Sequence, residues 1–332
     1  MKTSRFDNII HAPNRLQICA FLVQLDEAEF QLLRDELAVS DSVLSKHIKQ
    51  LEKVGYLKLR KSTVNGRQHT WVYLTGEGRQ AFKDHVKELK RISEDINRPF
   101  VKQLFDEESH AYTYIVHDKD LNTVIIDPVL EQFERDIEYI ENQNLQIKYI
   151  IETHIHADHI TSAYLFKRKY NAQICYGSKN IVYGADKLFD NNEKLTVGTI
   201  IFNIFHTPGH TNGCISLYIN GYVFTGDTLF IKGSGRTDFQ GGSSKDLFNS
   251  VRNILYPLPN ETVVYPAHDY RGLTSSTIGL EKIWNESICE ETEIETFVLN
   301  EKNKKRPYPK KFDVAVPSNT FCGDLSKVKK LK

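Results

Sequence analysis

Thr153-His154-Ile155-His156-Ala157-Asp158-His159 sets three imidazoles and a carboxylate in one short stretch, directly after the apolar run Tyr149-Ile150-Ile151. Imidazole and carboxylate together suit zinc or iron better than calcium or magnesium. An apolar run of that length reads as a buried strand, and a loop leaving its C-terminal end can fold several ligands around one point. Three further candidates sit in similar settings. His210 ends Phe205-His206-Thr207-Pro208-Gly209-His210, Asp227 follows Tyr222-Val223-Phe224-Thr225 through Gly226, and His268 follows Val264-Tyr265-Pro266-Ala267. Chance seldom groups ligands so densely and then supplies three more at strand ends, so a metal site is expected at one sheet edge. His69, His85 and His117 stand alone and read as ordinary core or surface residues.

Outward from this cluster, apolar strands alternate with helices from Ala111 onward. Strands are expected at Tyr112–Val116, Val124–Asp127, Lys148–Glu152, Ile200–Phe205 and Thr262–Tyr265. Ile215–Ile219 and Tyr222–Thr225 flank Asn220-Gly221, a strong hairpin signal. Lys302–Pro307 is charged and reads as a solvated surface run.

The first hundred residues have another texture. A helix is expected from Pro13, with the apolar stripe Leu16, Cys19, Ala20, Val23 and Leu25; a second spans about Glu27–Ala38. Ser40 is suited to cap a third helix, which carries Leu44, Ile48 and Leu51 on one face. Tyr56–Lys61 alternates as a half-buried strand, Asn65-Gly66 reads as a hairpin turn, Thr70–Leu74 returns, and a charged helix runs from about Glu77 to Ile96. At 332 residues two domains are natural, and the boundary is placed near Arg98-Pro99, giving 1–98 and 99–332.

Composition excludes several classes. Hydrophobic residues make up 40% and charged residues 26%, with zero formal net charge, so no global feature points to nucleic acid or membrane. No secretory signal or membrane-length apolar run occurs. The five scattered cysteines lack C-x-x-C spacing, which argues against a disulfide framework and for a reducing cytoplasm. The neutral total conceals an asymmetry: Lys46, Lys49, Lys53, Lys58, Arg60, Lys61 and Arg67 face only Glu52.

The H-x-H-x-D-H spacing resembles that of the metallo-β-lactamase superfamily. This implies an α/β fold, an αββα sandwich preceded here by a small α+β domain. In two-metal members His154, His156 and His210 would hold one ion, Asp158, His159 and His268 the other, and Asp227 would bridge them. Ile126-Asp127-Pro128-Val129, Gly226-Asp227-Thr228-Leu229-Phe230, Gly233-Ser234-Gly235-Arg236-Thr237-Asp238-Phe239-Gln240 and Pro266-Ala267-His268-Asp269-Tyr270 narrow the resemblance to the persulfide dioxygenase family. It implies one Fe(II) per chain on His154, His210 and Asp227. It also implies that glutathione persulfide and O2 are converted to sulfite and glutathione. His156, Asp158, His159 and His268 would then orient the ligands. Arg236 is a candidate for placing substrate, with an ion pair to Asp238 as the competing role. Tyr270 is a candidate hydrogen-bond donor, with a packed core tyrosine as the competing role. Ser234 stands where some members carry Cys, and Val316–Gly323 follows the family's closing pattern in part.

The alternatives are a binuclear zinc hydroxyacylglutathione hydrolase of the glyoxalase II kind, or a DNA-binding regulator whose metal domain senses persulfide. The N-terminal element order and Ala38–Ile48 resemble MarR-like winged helix-turn-helix proteins. That resemblance implies double-stranded DNA as partner through residues 40–70. Ser42, Ser45, Lys46 and Lys49 would face the major groove, and Lys58, Arg60, Lys61 and Arg67 would meet phosphates from the wing. A docking or dimerisation module with a solvated basic face is the competing view. Helix Glu77–Ile96 suits pairing with a second copy, and Cys19, set among apolar residues, reads as an inert buried thiol.

Overall fold

The structure is a computed structural model that describes residues 6–64, 67–96 and 98–328. The chain divides into two compact units, Met1–Ile96 and Asn97–Lys332.

In the first unit, α1 (Pro13–Leu22) begins on its proline. The next two residues to form regular structure, Ala28 and Glu29, are a strand (β1), and α2 spans Phe30–Leu37. The expected start at Glu27 is therefore corrected: Ala28 and Glu29 pair with Val72 and Trp71, and a backbone committed to a sheet ladder cannot turn helical. Ser40 caps α3 (Asp41–Lys53), its hydroxyl accepting from the Val43 amide at 3.4 Å. β2 (Leu57–Val64) and β3 (Arg67–Leu74) form the antiparallel ribbon, and α4 (Gly76–Ile96) closes the unit. The expected turn at Asn65-Gly66 lies outside the described residues. Ile18, Cys19, Leu22, Leu33, Leu44, Ile48, Leu51 and Val72 share one core. Burial, with Asp7 nearby, pushes the Cys19 thiol up to about 12, as an inert core cysteine requires.

The second unit opens with β4 (Phe100–Phe105), β5 (Tyr112–His117) and β6 (Asn122–Ile126), then α5 (Phe133–Asn142) and β7 (Gln146–Ile151). α6 (Ala163–Tyr170), β8 (Gln173–Gly177) and β9 (Lys187–Phe189) complete a six-stranded sheet in the order β4-β5-β6-β7-β8-β9. The second six-stranded sheet follows chain order through β10 (Lys194–Val197), β11 (Ile200–His206), β12 (Ile215–Ile219), β13 (Tyr222–Gly226), β14 (Val263–Pro266) and β15 (Ser276–Thr277). α7 (Ser244–Ser250) precedes β14; α8 (Ile278–Trp284), α9 (Ile294–Asn303), α10 (Phe312–Thr320) and α11 (Leu325–Val328) complete the described residues.

Alternation along each strand explains the layering. Val124 and Ile126 join Phe202, Leu217 and Phe224 between the sheets, while Ile125 turns outward to Ile137, Ile140 and Phe166 of α5 and α6. On the other sheet Phe224 points inward and Val223 outward, against Leu247 of α7, Ile278 of α8 and Phe297 of α9. Strands buried on both faces are apolar at nearly every position, which is why they were legible as runs. The result is an αββα sandwich. Among the described residues no helix is long and apolar enough to cross a membrane.

Phe202 is fully buried between the sheets. Phe202→Ala is expected to cost ~3–5 kcal/mol in urea unfolding of the sandwich; a loss under about 1 kcal/mol would contradict the packing described.

Candidate metal centre

β6 and β7 run parallel, and both end at the same edge of the sandwich. Asp127, just past β6, adopts φ +50, and its carboxylate accepts from the Thr153 amide (2.7 Å) and the Thr153 hydroxyl (2.8 Å). Having given its proton to Asp127, the hydroxyl oxygen can only accept from His154 Nδ1, 3.0 Å away. His154 therefore carries its proton on Nδ1 and presents a lone pair on Nε2. His210 reaches the same state by another route, because its Nδ1 faces the Arg236 backbone carbonyl at 2.8 Å, and a carbonyl only accepts.

Both Nε2 atoms converge on Asp227. Its Oδ2 lies 3.4 Å from His210 Nε2 and 4.0 Å from His154 Nε2. Donors each bound at about 2.0–2.2 Å to a shared ion stand roughly 3–4 Å apart, so this trio fits a metal. Burial, then the neighbouring His156 charge, holds the His154 imidazole well below its ordinary pKa, which keeps it neutral and able to ligate. Burial works against ionisation of Asp227, but His268 and His210 outweigh it and hold the carboxyl below the usual range.

His268 spends both ring nitrogens on carboxylates, Nδ1 on Asp227 Oδ1 (2.7 Å) and Nε2 on Asp158 Oδ2 (2.8 Å). Burial disfavours its cation, yet the two carboxylates raise it well above the ordinary value. Asp158 also meets His159 Nδ1 at 3.0 Å. His156 turns to the other side, with Nε2 3.1 Å from Asp127 and 3.4 Å from Glu152. Burial opposes its charge, and the facing carboxylates push it up to about 10. Two glycines make room for the cluster. A Cβ on Gly226 (φ +53) would stand 2.7 Å from the Thr153 hydroxyl, and one on Gly209 (φ +141) 2.2 Å from Leu247 Cα.

Residues 106–268 match the metallo-beta-lactamase superfamily, and residues 14–93 match a winged helix DNA-binding domain. Over 234 residues the chain is 37% identical to the mitochondrial persulfide dioxygenase ETHE1 of Mus musculus, covering 67% of this chain and 88% of that protein. The chain belongs to the persulfide dioxygenase family of the metallo-β-lactamase superfamily. The crystal structure of ETHE1 from Myxococcus xanthus matches with TM-score 0.66 at 39% identity, covering 68% of this chain and 99% of that one. A hydroxyacylglutathione hydrolase of Buchnera aphidicola is 35% identical over 172 residues, 52% of this chain and 66% of the relative.

Two side chains expected at this family's substrate site have defined surroundings. The Arg236 guanidinium is held by Asp238 (2.7 and 2.9 Å) and the Pro307 carbonyl (2.8 Å), and lies over the Phe239 ring at 4.4 Å. The side chain makes the ion pair to Asp238, and the backbone carbonyl of Arg236 reaches the centre through His210. Tyr270 is 64% exposed, which removes the packed-core view; its ring stacks parallel to His268 at 6.1 Å and beside His110. Ser234 is buried at 8% exposure. Ligand spacing points to neither Thr153 nor the role of Asp127, because their link is set by the fold.

On the winged helix, Lys46, Lys49, Lys58, Lys61 and Ser42 are exposed and Ser45 is half-buried. Arg60 pairs with Glu27 at 2.6 Å and lies over Trp71, so it is not a free phosphate ligand. The side chain of Arg67 lies outside what is described. His69 meets Glu29, His85 accepts from the Asp7 amide, and His117 contacts the Asp118 carbonyl, as unremarkable histidines do.

Thr153→Val keeps the shape of the residue and deletes the link from Asp127 to His154. Metal affinity, read by chelator competition, is expected to fall ~10–100-fold; unchanged affinity would dissociate that link from ligand orientation.

Proposed function

We propose that the protein is a mononuclear iron persulfide dioxygenase, joined to a winged helix that binds double-stranded DNA. The observation that carries this is the division within the cluster. His154, His210 and Asp227 converge their free donor atoms, whereas His268 is occupied on both nitrogens by Asp158 and Asp227. Two imidazoles and one carboxylate form the set that non-haem Fe(II) oxygenases use. A ferrous ion held there would supply open positions for a persulfide sulfur and O2. One glutathione persulfide, one O2 and one water then account for glutathione and sulfite.

The chain's own residues prepare that chemistry. Thr153 and the Arg236 carbonyl fix the two imidazoles, and His268 holds one oxygen of Asp227 so that the other faces the ligand atoms. Exposed Tyr270, stacked on His268, offers its hydroxyl to a substrate entering from solvent. Five free thiols suit a cytoplasmic setting.

One observation favours a binuclear zinc hydrolase as second reading: the donor atoms of His156, Asp158 and His159 also lie within 4.8 Å of one another. Metal analysis with an oxygen electrode separates the two. One iron per chain and O2 uptake with glutathione persulfide are expected; two zincs with thioester hydrolysis would replace the dioxygenase by the hydrolase.

For the winged helix, Lys46 and Lys49 lie exposed on α3 and Lys58 and Lys61 on β2, where groove and phosphate contacts would fall. Exposed Val86 and Ile92 on the long α4 suit pairing with a second copy. In a gel shift, Lys46→Ala with Lys49→Ala is expected to weaken binding, and Lys58→Ala with Lys61→Ala to weaken it and flatten its salt dependence by roughly one unit of slope per lost phosphate contact. Arg60→Ala is expected to change little. The reverse pattern would move the interface off α3.

A further inference from the structure

The loop that carries His154 to His159 has neither helix nor strand to satisfy its backbone, and buried carbonyls must find partners somewhere. They find them at distant positions. Gln240 Nε2 donates to the Ile155 carbonyl (2.9 Å), and the Leu130 amide to that of Ile160 (2.8 Å). Two more are met by Asn319. Its Nδ2 donates to the carbonyls of His156 (2.9 Å) and His159 (2.8 Å), and its Oδ1 accepts from the Thr161 amide (2.9 Å). Asn319 is fully buried, and both of its N–H donors go to the metal loop.

The end of the chain seats this residue closely. Cys322 offers its carbonyl to the Tyr164 amide at 3.0 Å. Gly323 (φ +80) passes so near the loop that a Cβ there would stand 2.1 Å from the Thr161 carbonyl oxygen. The two carbonyls that Asn319 grips flank Ala157 and Asp158. Holding them together sets where the Asp158 carboxylate emerges, and that carboxylate meets His268 at 2.8 Å, which in turn holds Asp227 at 2.7 Å.

We propose that Asn319 is a positioning residue of the metal centre: by pinching the His156 and His159 carbonyls it places Asp158 under His268, and so fixes Asp227 for the ion. It touches neither metal nor substrate and acts through the loop. The inference rests on the metal centre and is independent of which substrate reacts there.

The neighbouring residue supplies the control. Ser318 is also buried, at 1% exposure, but its hydroxyl bonds the Val314 carbonyl within α10 and leaves the loop alone. Asn319→Asp keeps the size and the acceptor for Thr161 while setting an oxygen against two carbonyls; Asn319→Ser shortens the side chain without adding charge. Full-length metal-free variants are titrated with Co(II), following the visible absorption of the bound ion, alongside thermal melts. Both Asn319 variants are expected to bind Co(II) ~10–100-fold more weakly with an altered spectrum, while Ser318→Ala keeps the parent affinity and spectrum. Asp158→Asn is expected to reproduce the spectral change, and combining it with Asn319→Ser to add less than the sum of the two, as groups in one network do. Parent-like Co(II) binding by whichever Asn319 variant folds, or an equal loss in Ser318→Ala, would overturn the proposal. Cobalt binding is read without persulfide or O2, so a failed dioxygenase assignment leaves this test standing.

Discussion

A carboxylate buried among imidazoles is the constraint on which the rest of the metal centre depends. Asp227 is 8% exposed, and a buried charge persists only when paired and hydrogen-bonded. His268 supplies that pairing on one oxygen and in doing so brings in Asp158, whose own charge is shared with His159. The other oxygen is left to face the Nε2 atoms of His154 and His210. Which imidazoles offer a free nitrogen to an ion and which serve as counter-charges follows from the partners behind them. His154 and His210 are backed by a hydroxyl and a carbonyl, whereas His156 and His268 are each set between two carboxylates. Four histidines of similar burial thus divide into ligands and counter-charges by what stands at the second nitrogen.

That division marks where the sequence stops being legible. The cluster could be found because H-x-H-x-D-H falls after an apolar strand, and the Asn220-Gly221 hairpin because both residues take positive φ, as a tight turn between twisted strands requires. Most strands buried on two faces announced themselves as apolar runs; interior β8, short and bounded by Gln173 and Gly177, did not. β4 and β9 did not, being edge strands with mixed exposure, and β10 is short and alternating. Ala28 and Glu29 looked helical because the strand that captures them lies more than forty residues downstream. The roles of Thr153, Arg236 and Asn319 were equally hidden. Each acts through a contact to a partner fixed by the fold, and all three use groups that carry no charge.

Arg236 and Arg60 share one lesson about charge. Both were singled out because a guanidinium suits an anionic ligand. In the fold Arg236 is engaged by Asp238, two residues away, and Arg60 by Glu27, thirty-three residues away. The charge count over residues 46–67 includes Arg60 and omits the remote Glu27, whereas the acid that engages Arg236 stands close by in the sequence. Among the described side chains of the basic stretch, Lys46, Lys49, Lys58 and Lys61 are exposed cations on α3 and β2. For Arg236 the consequence is larger: with the side chain anchored to Asp238, Pro307 and Phe239, its backbone is held still, and it is the backbone carbonyl that fixes the tautomer of His210.

The same economy extends to the end of the chain. A loop with good ligand spacing but no secondary structure would be too mobile to hold an ion in one geometry, since each unsatisfied carbonyl would draw it toward water. Helix α10 and Gly323 lie far from the loop in sequence and contribute no ligand. They supply the donors and the close approach that a strand would otherwise give. Placing those groups on a helix packed against the sandwich ties the metal geometry to the sandwich core, so the ligand cluster inherits its rigidity from apolar packing at a distance.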